Sequence, residues 1–209
     1  MGAQEPMMEA RAAATAPPWL YRALLRLLAR GAPVSVDDLV TATGHPLAEV
    51  RELLAGLADV ETDDQGRIVG YGLTCVPTVH RFEVNGRLLY TWCALDTLAL
   101  PSVIGEAVSV ESPCYATGAP VRVSVDPKEG VTNVEPATAV VSVVKRCAAP
   151  NVRESFCNHV HFFVSDEAAR PWLAGHPGAQ IFPVGDAQQL SRSLVDALLT
   201  DDRGAARSD

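Results

Sequence analysis

From Trp19 to Arg30 the apolar residues Leu20, Leu24, Leu27 and Leu28 recur at the spacing of one helical face, and Gly31 and Pro33 end the pattern. Ser35 follows as an N-cap, with Asp38 in the capping-box position, and predicts a short helix through Leu39 and Val40. After Gly44-His45-Pro46 a third helix is expected over Leu47–Leu57, with Leu47, Val50, Leu54 and Leu57 on one stripe. Val60–Thr62 and Arg67–Val69, joined by Asp63-Asp64-Gln65-Gly66, read as a hairpin. Three helices and a hairpin have the outline of a winged helix.

Beyond Leu73 the pattern changes to short valine-rich runs broken by Gly and Pro. Val79–Val84 and Arg87–Trp92 flank Asn85-Gly86, a dipeptide that favours a type I′ hairpin turn. Ala94–Leu100 looks helical and is expected to stop at Pro101. Ala107–Glu111, Val121–Val125, Ala139–Val144 and His159–Val164 are strand candidates, and Ser112–Pro120 is a loop. Pro171–His176 suggests a short helix, and Gln188–Leu199 a closing one with Leu190, Leu194, Val195 and Leu198 in register. The expected class is α+β, with a winged-helix-like region ahead of a mixed β-sheet catalytic domain with flanking helices. The division is a disordered leader over 1–18, the helical domain over 19–72, the α+β domain over 73–200 and a tail over 201–209.

Charge narrows the function. The chain carries a formal net charge of −8, and residues 1–72 hold 6 Lys and Arg against 10 Asp and Glu. The third helix, where a groove-reading helix would lie, has only Arg51, between Glu49 and Glu52. Phosphate contacts need cations, so nucleic acid is not the expected partner and the helical region reads as structural. The first 18 residues include acids and no continuous apolar core, unlike a signal peptide, and no apolar run approaches the ~20 residues of a membrane span. A cytoplasmic protein is expected.

Five cysteines, at 75, 93, 114, 147 and 157, make an odd count with no C-x-x-C, so neither a disulfide framework nor a zinc ribbon is indicated. Two stretches could carry chemistry. In Leu88–Leu100 a β-like run turns helical at Cys93, with Asp96 three residues on. At that spacing side chains are neighbours, so a thiol and a carboxylate can share one proton. The plain alternative is a buried cysteine and a capping aspartate. In Ser155–Phe163 an extended chain would put Cys157, His159 and His161 on one face, all of them legitimate ligands for zinc or copper. The alternative there is hydrogen-bonded strand histidines and a core thiol.

Together, YTWCALDTLALP, SPCYATGAPV and VRESFCNHVHFF resemble the organomercurial (alkylmercury) lyases, in order and spacing, from about Trp19 to Leu199. The resemblance implies that Cys93 and Cys157 are catalytic thiols, that Asp96 is the catalytic carboxylate, and that all three contact mercury. It makes Cys114 a structural cysteine and assigns nothing to Cys75, Cys147, His159 or His161. Asn158 stands where some relatives have another cysteine. The implied reaction is protonolysis of a carbon–mercury bond for detoxification, R–Hg⁺ plus H⁺ giving R–H plus Hg²⁺. Mercury is then substrate and product, with no organic cofactor or resident metal. The implied partners are the organomercurial and cellular thiols, and transfer of the product to a mercuric reductase stays open. Two other readings compete: a non-enzymatic thiol/imidazole metal-binding protein using Cys157, His159, His161 and Cys93, and a winged-helix metal-responsive regulator, which the acidic first 72 residues oppose.

Overall fold

A computed structural model describes residues 16–144 and 151–200. The leader up to residue 15, Cys147 and the tail from 201 lie outside the described residues. Helix α1 (Pro18–Leu28) starts with proline at N1, where a missing N–H costs nothing, and buries Leu20, Leu24, Leu25 and Leu28 completely. Helix α2 (Val36–Thr43) opens with the expected capping box: Asp38 N–H donates to Ser35 Oγ, and Ser35 N–H donates to Asp38 Oδ2 at 2.9 Å. Helix α3 (Leu47–Ala55) buries Val50, while Leu47 stays exposed.

The strands β1 (Glu61–Thr62), β2 (Ile68–Tyr71), β3 (Leu73–Thr74), β4 (His80–Val84), β5 (Arg87–Thr91), β6 (Val108–Pro113), β7 (Pro120–Asp126) and β8 (Gly130–Glu135) form one sheet. Their order is β1-β2-β3-β5-β4-β6-β7-β8, so the wing hairpin β1–β2 is the edge of the large sheet. Asn85 and Gly86 both take positive φ, 51° and 71°, as a type I′ turn requires. A second sheet has the order β10-β9-β11, from β9 (Val140–Val143), β10 (Phe162–Phe163) and β11 (Gln180–Pro183). The α+β class is as expected, but the sheets are not mixed. Every described pairing is antiparallel, because each connection returns the chain beside an oppositely running strand.

Helix α4 (Ala94–Ile104) is apolar all round and buried on nearly every face, as a helix lying between a sheet and other helices must be. It packs against the large sheet, α1 and the closing helix α7 (Val184–Thr200). Pro101 does not stop it. The ring removes one bond to the Thr97 carbonyl, yet Leu100, Val103 and Ile104 are buried and hold the last turn until Gly105 closes it at φ 82°. The expected strand over His159–Val164 shortens to Phe162–Phe163. The helix expected at Pro171 begins earlier, as α6 (Asp166–Ala174), because Ser165 caps it. Strand β8 was not expected, since its residues Thr132 and Asn133 are exposed and polar.

His80, the first residue of β4, is buried, with ring Nδ1 3.0 Å from Ser112 Oγ. Burial, then the charge of nearby His161, lowers its pKa from 6.5 to about 4. The unfolded chain therefore takes up a proton below pH 6.5 that the folded chain refuses until about 4. Stability contributed by neutral His80 is intact above 6.5 and falls across that window, by about 3 kcal/mol in all. Urea midpoints at pH 7 and pH 4.5 should show this loss, and a folded His80→Gln chain should show a smaller one.

Candidate functional site

Cys93 ends the extended run after β5 and serves as the N-cap residue of α4, with φ −148° and ψ 170°. Thr91 Oγ1 donates to its carbonyl at 3.0 Å. One helical turn in, Asp96 returns its carboxylate to the thiol, and Cys93 Sγ donates to Asp96 Oδ2 at 3.2 Å. Cys157 arrives from the opposite side. It follows the short helix α5 (Val152–Ser155), which Asn151 caps by accepting from Glu154 N–H, and it opens a 3-10 turn over Cys157–His159. The two segments are stitched together by Ala94 N–H donating to the Val160 carbonyl at 3.2 Å. Cys157 Sγ lies 4.0 Å from the same Asp96 oxygen. One ligand atom from each of Cys93, Asp96 and Cys157 lies within 4.8 Å of the others, the only such cluster of three among the described residues.

Cys93 has no solvent exposure and Cys157 is 5% exposed, whereas Asp96 is half-buried. Burial raises the Cys93 thiol's pKa well above its ordinary value, and its contact with Cys157 and the Asp96 charge add to that. At rest Cys93 thus carries a proton next to a carboxylate that can take it. Two sulfurs and one oxygen converging in this way suit a soft, thiophilic cation. Trp92, Leu95 and Phe156, the chain neighbours of Cys93, Asp96 and Cys157, are all buried.

A clamp from the wing holds the Cys157 segment down. Asp59 Oδ2 accepts from Val152 N–H at 3.0 Å, and Glu61 on β1 pairs with Arg153. The Arg153 guanidinium lies 5.5 Å from the centroid of the Trp92 ring, directly beside Cys93 in sequence. Glu61 is oriented by Thr74 Oγ1, which donates to it at 2.6 Å. Only glycine fits at position 70, since a Cβ there would overlap the Glu61 carboxylate and the Thr74 side chain. The Trp92 indole N–H is buried and meets no acceptor among the described residues.

The set of Cys157, His159 and His161 on one strand face does not form. Residues 157–159 are a 3-10 turn, which breaks the period-2 alternation, and the three do not gather as one ligand group. His161 instead stacks on Tyr115, with centroids 4.0 Å apart. Cys114 is buried in the turn after β6, donating its N–H to Ala119 and accepting from Gly118, away from the clustered thiols. Cys75 is half-buried near Glu61, and burial and that charge raise its pKa. Sequence reading missed Arg153 and Glu61, which are 92 residues apart, and nothing local in the sequence signals their pairing.

Comparison with known proteins places these observations in a family. The profile described as "Alkylmercury lyase" matches residues 73–196, and "Helix-turn-helix domain of alkylmercury lyase" matches residues 6–72. An alkylmercury lyase of Streptomyces lividans is 54% identical over 190 residues, covering 91% of this chain and 88% of the relative. One from Staphylococcus epidermidis is 54% identical over 84% of this chain and 81% of the relative. One from Pseudomonas putida is 47% identical over 87% and 85%. A solved structure described as the mercury-bound form of MerB2 superposes with a TM-score of 0.76 at 25% identity, covering 94% of this chain and 98% of that one.

If the wing clamps the Cys157 segment, Glu61→Gln should loosen it without unfolding the protein. Amide exchange over residues 151–157 and alkylation of Cys157 by iodoacetamide should both speed up about tenfold, the scale of one charge-assisted hydrogen bond. Unchanged rates would show that the clamp does not restrain the thiol.

Proposed function

The chain belongs to the alkylmercury lyase family, and from that premise we propose how its residues divide the work of cleaving a carbon–mercury bond. Its function is organomercurial lysis, R–Hg⁺ plus H⁺ giving R–H plus Hg²⁺. One observation carries the assignment: both thiols stand within reach of a single oxygen of Asp96. In the assignment Cys93 and Cys157 are the thiols that take the mercury, and Asp96 is the proton carrier.

The steps balance with these three groups. Asp96 takes the Cys93 proton, and the thiolate so formed bonds to the mercury of R–Hg⁺. Cys157 binds the same mercury and loses its proton to solvent. Two thiolates donating to mercury place more negative charge on its carbon. Asp96, now protonated, delivers its proton to that carbon as the bond breaks, so no free carbanion forms. The hydrocarbon leaves, Hg²⁺ remains on the two sulfurs, and two thiols from solution exchange it off as a bis-thiolate while Cys93 and Cys157 regain their protons. In this reading no organic cofactor enters the cycle, small cellular thiols are the partners that close it, and transfer of mercury to a mercuric reductase is one route out. Cys114 has a structural role, holding the turn after β6.

Asp96→Asn keeps the size of the side chain and removes the transferable proton. It should still take up an organomercurial through the thiols but release hydrocarbon ~10²–10⁴-fold more slowly, read by headspace analysis in excess thiol. Release at the wild-type rate would remove Asp96 as the acid. Cys114→Ala, in contrast, should lower stability while keeping turnover per folded chain. An inactive but well-folded Cys114→Ala would mean that a third thiol takes part.

A further inference from the structure

Three of the five imidazoles, those of His159, His161 and His176, gather around Trp172. His176, just beyond α6, has Nδ1 2.7 Å from the Trp172 carbonyl and stacks on the Trp172 indole, with centroids 4.0 Å apart and planes 12° apart. A carbonyl can only accept, so Nδ1 carries the hydrogen and Nε2 presents a lone pair. That is how an outer carbonyl orients a metal-ligating histidine. His159, at the end of the Cys157–His159 turn, faces it with ring centroids 6.1 Å apart. Two imidazoles bound to one ion at about 2.0–2.1 Å per nitrogen place their centroids about 5–6.5 Å apart, from tetrahedral to linear angles. Both rings are half-buried, which leaves room for water to complete the coordination.

We propose that His159 and His176 form a second metal site, separate from the thiol pair, for a borderline first-row divalent cation such as Ni²⁺, Cu²⁺ or Zn²⁺. Imidazole suits these ions, while the thiols suit softer ones, so the two sites sort cations by chemistry. The backing is already rigid. His161 is stacked on Tyr115 and meets Trp172 edge-on at 6.0 Å. An ion there ties the end of α6 to the turn that starts at Cys157, and so braces that thiol from the side opposite the wing.

The test is a Ni²⁺ titration of the untagged Cys93→Ser/Cys157→Ser chain, in which the paired thiols cannot compete, followed by tryptophan fluorescence and calorimetry. One ion per chain should bind and quench, because the ion sits against Trp172. His159→Asn and His176→Gln should each raise the half-saturation point at least about tenfold, the scale on which even outer-shell partners act. Trp172→Phe should lose the quench and keep the calorimetric binding. His45→Gln is the control, since His45 stacks on Trp19 at 3.6 Å in a different part of the fold. Zn²⁺ should also slow amide exchange at residues 172–176 in the parent chain, a readout that needs no histidine variant. The proposal is overturned by absence of saturable binding, by equal binding after either histidine substitution, by quenching that depends on His45, or by exchange unmoved by Zn²⁺.

Discussion

Asp96 Oδ2 stands 3.2 Å from one thiol and 4.0 Å from another that is 61 residues further along the chain than itself, and the surrounding structure serves to keep that oxygen shared. The Cys93 contact is local and follows from helical spacing, so it survives wherever α4 forms. The Cys157 contact is not local. It depends on the bond from Ala94 to Val160, on Asn151 capping α5, and on the wing residues Asp59 and Glu61. Cys93 is held protonated by burial in the same arrangement, so the resting site stores a proton where a carbanion-like carbon will need it.

The helical region therefore touches the active segment directly. Its edge strand supplies Glu61, and Glu61 meets Arg153, which in turn covers Trp92 beside Cys93. A family profile names this region a helix-turn-helix domain, and its shape agrees. Asp59 and Glu61 tie that shape to Val152 and Arg153 of the Cys157 segment.

The sequence made some of this legible and hid the rest for physical reasons. Ser35 with Asp38, Asn85-Gly86 and the Cys93–Asp96 spacing are short-range signals, and each is realised as read. Pro101 misled because burial of Leu100, Val103 and Ile104 outweighs the lost bond. Cys157–His159 misled because an apolar and aromatic flank reads as strand, whereas the chain turns there to reach Asp96. That Cys93 and Cys157 belong together came from resemblance, since no periodicity spans 64 residues. The pairing of Arg153 with Glu61 and the facing of His159 and His176 had no sequence signal of any kind, because both depend on how distant elements pack.

The hairpin at the sheet edge also fixes what a protease could leave behind. A cut near residue 72 that freed the helical region would strip β2 from β3, a strand of only two residues, and leave β3 and β5 as an open edge. Such an edge presents unpaired N–H and C=O groups to any passing chain. The fragment that keeps Cys93, Asp96 and Cys157 on one side of the cut would then carry an edge that favours self-association.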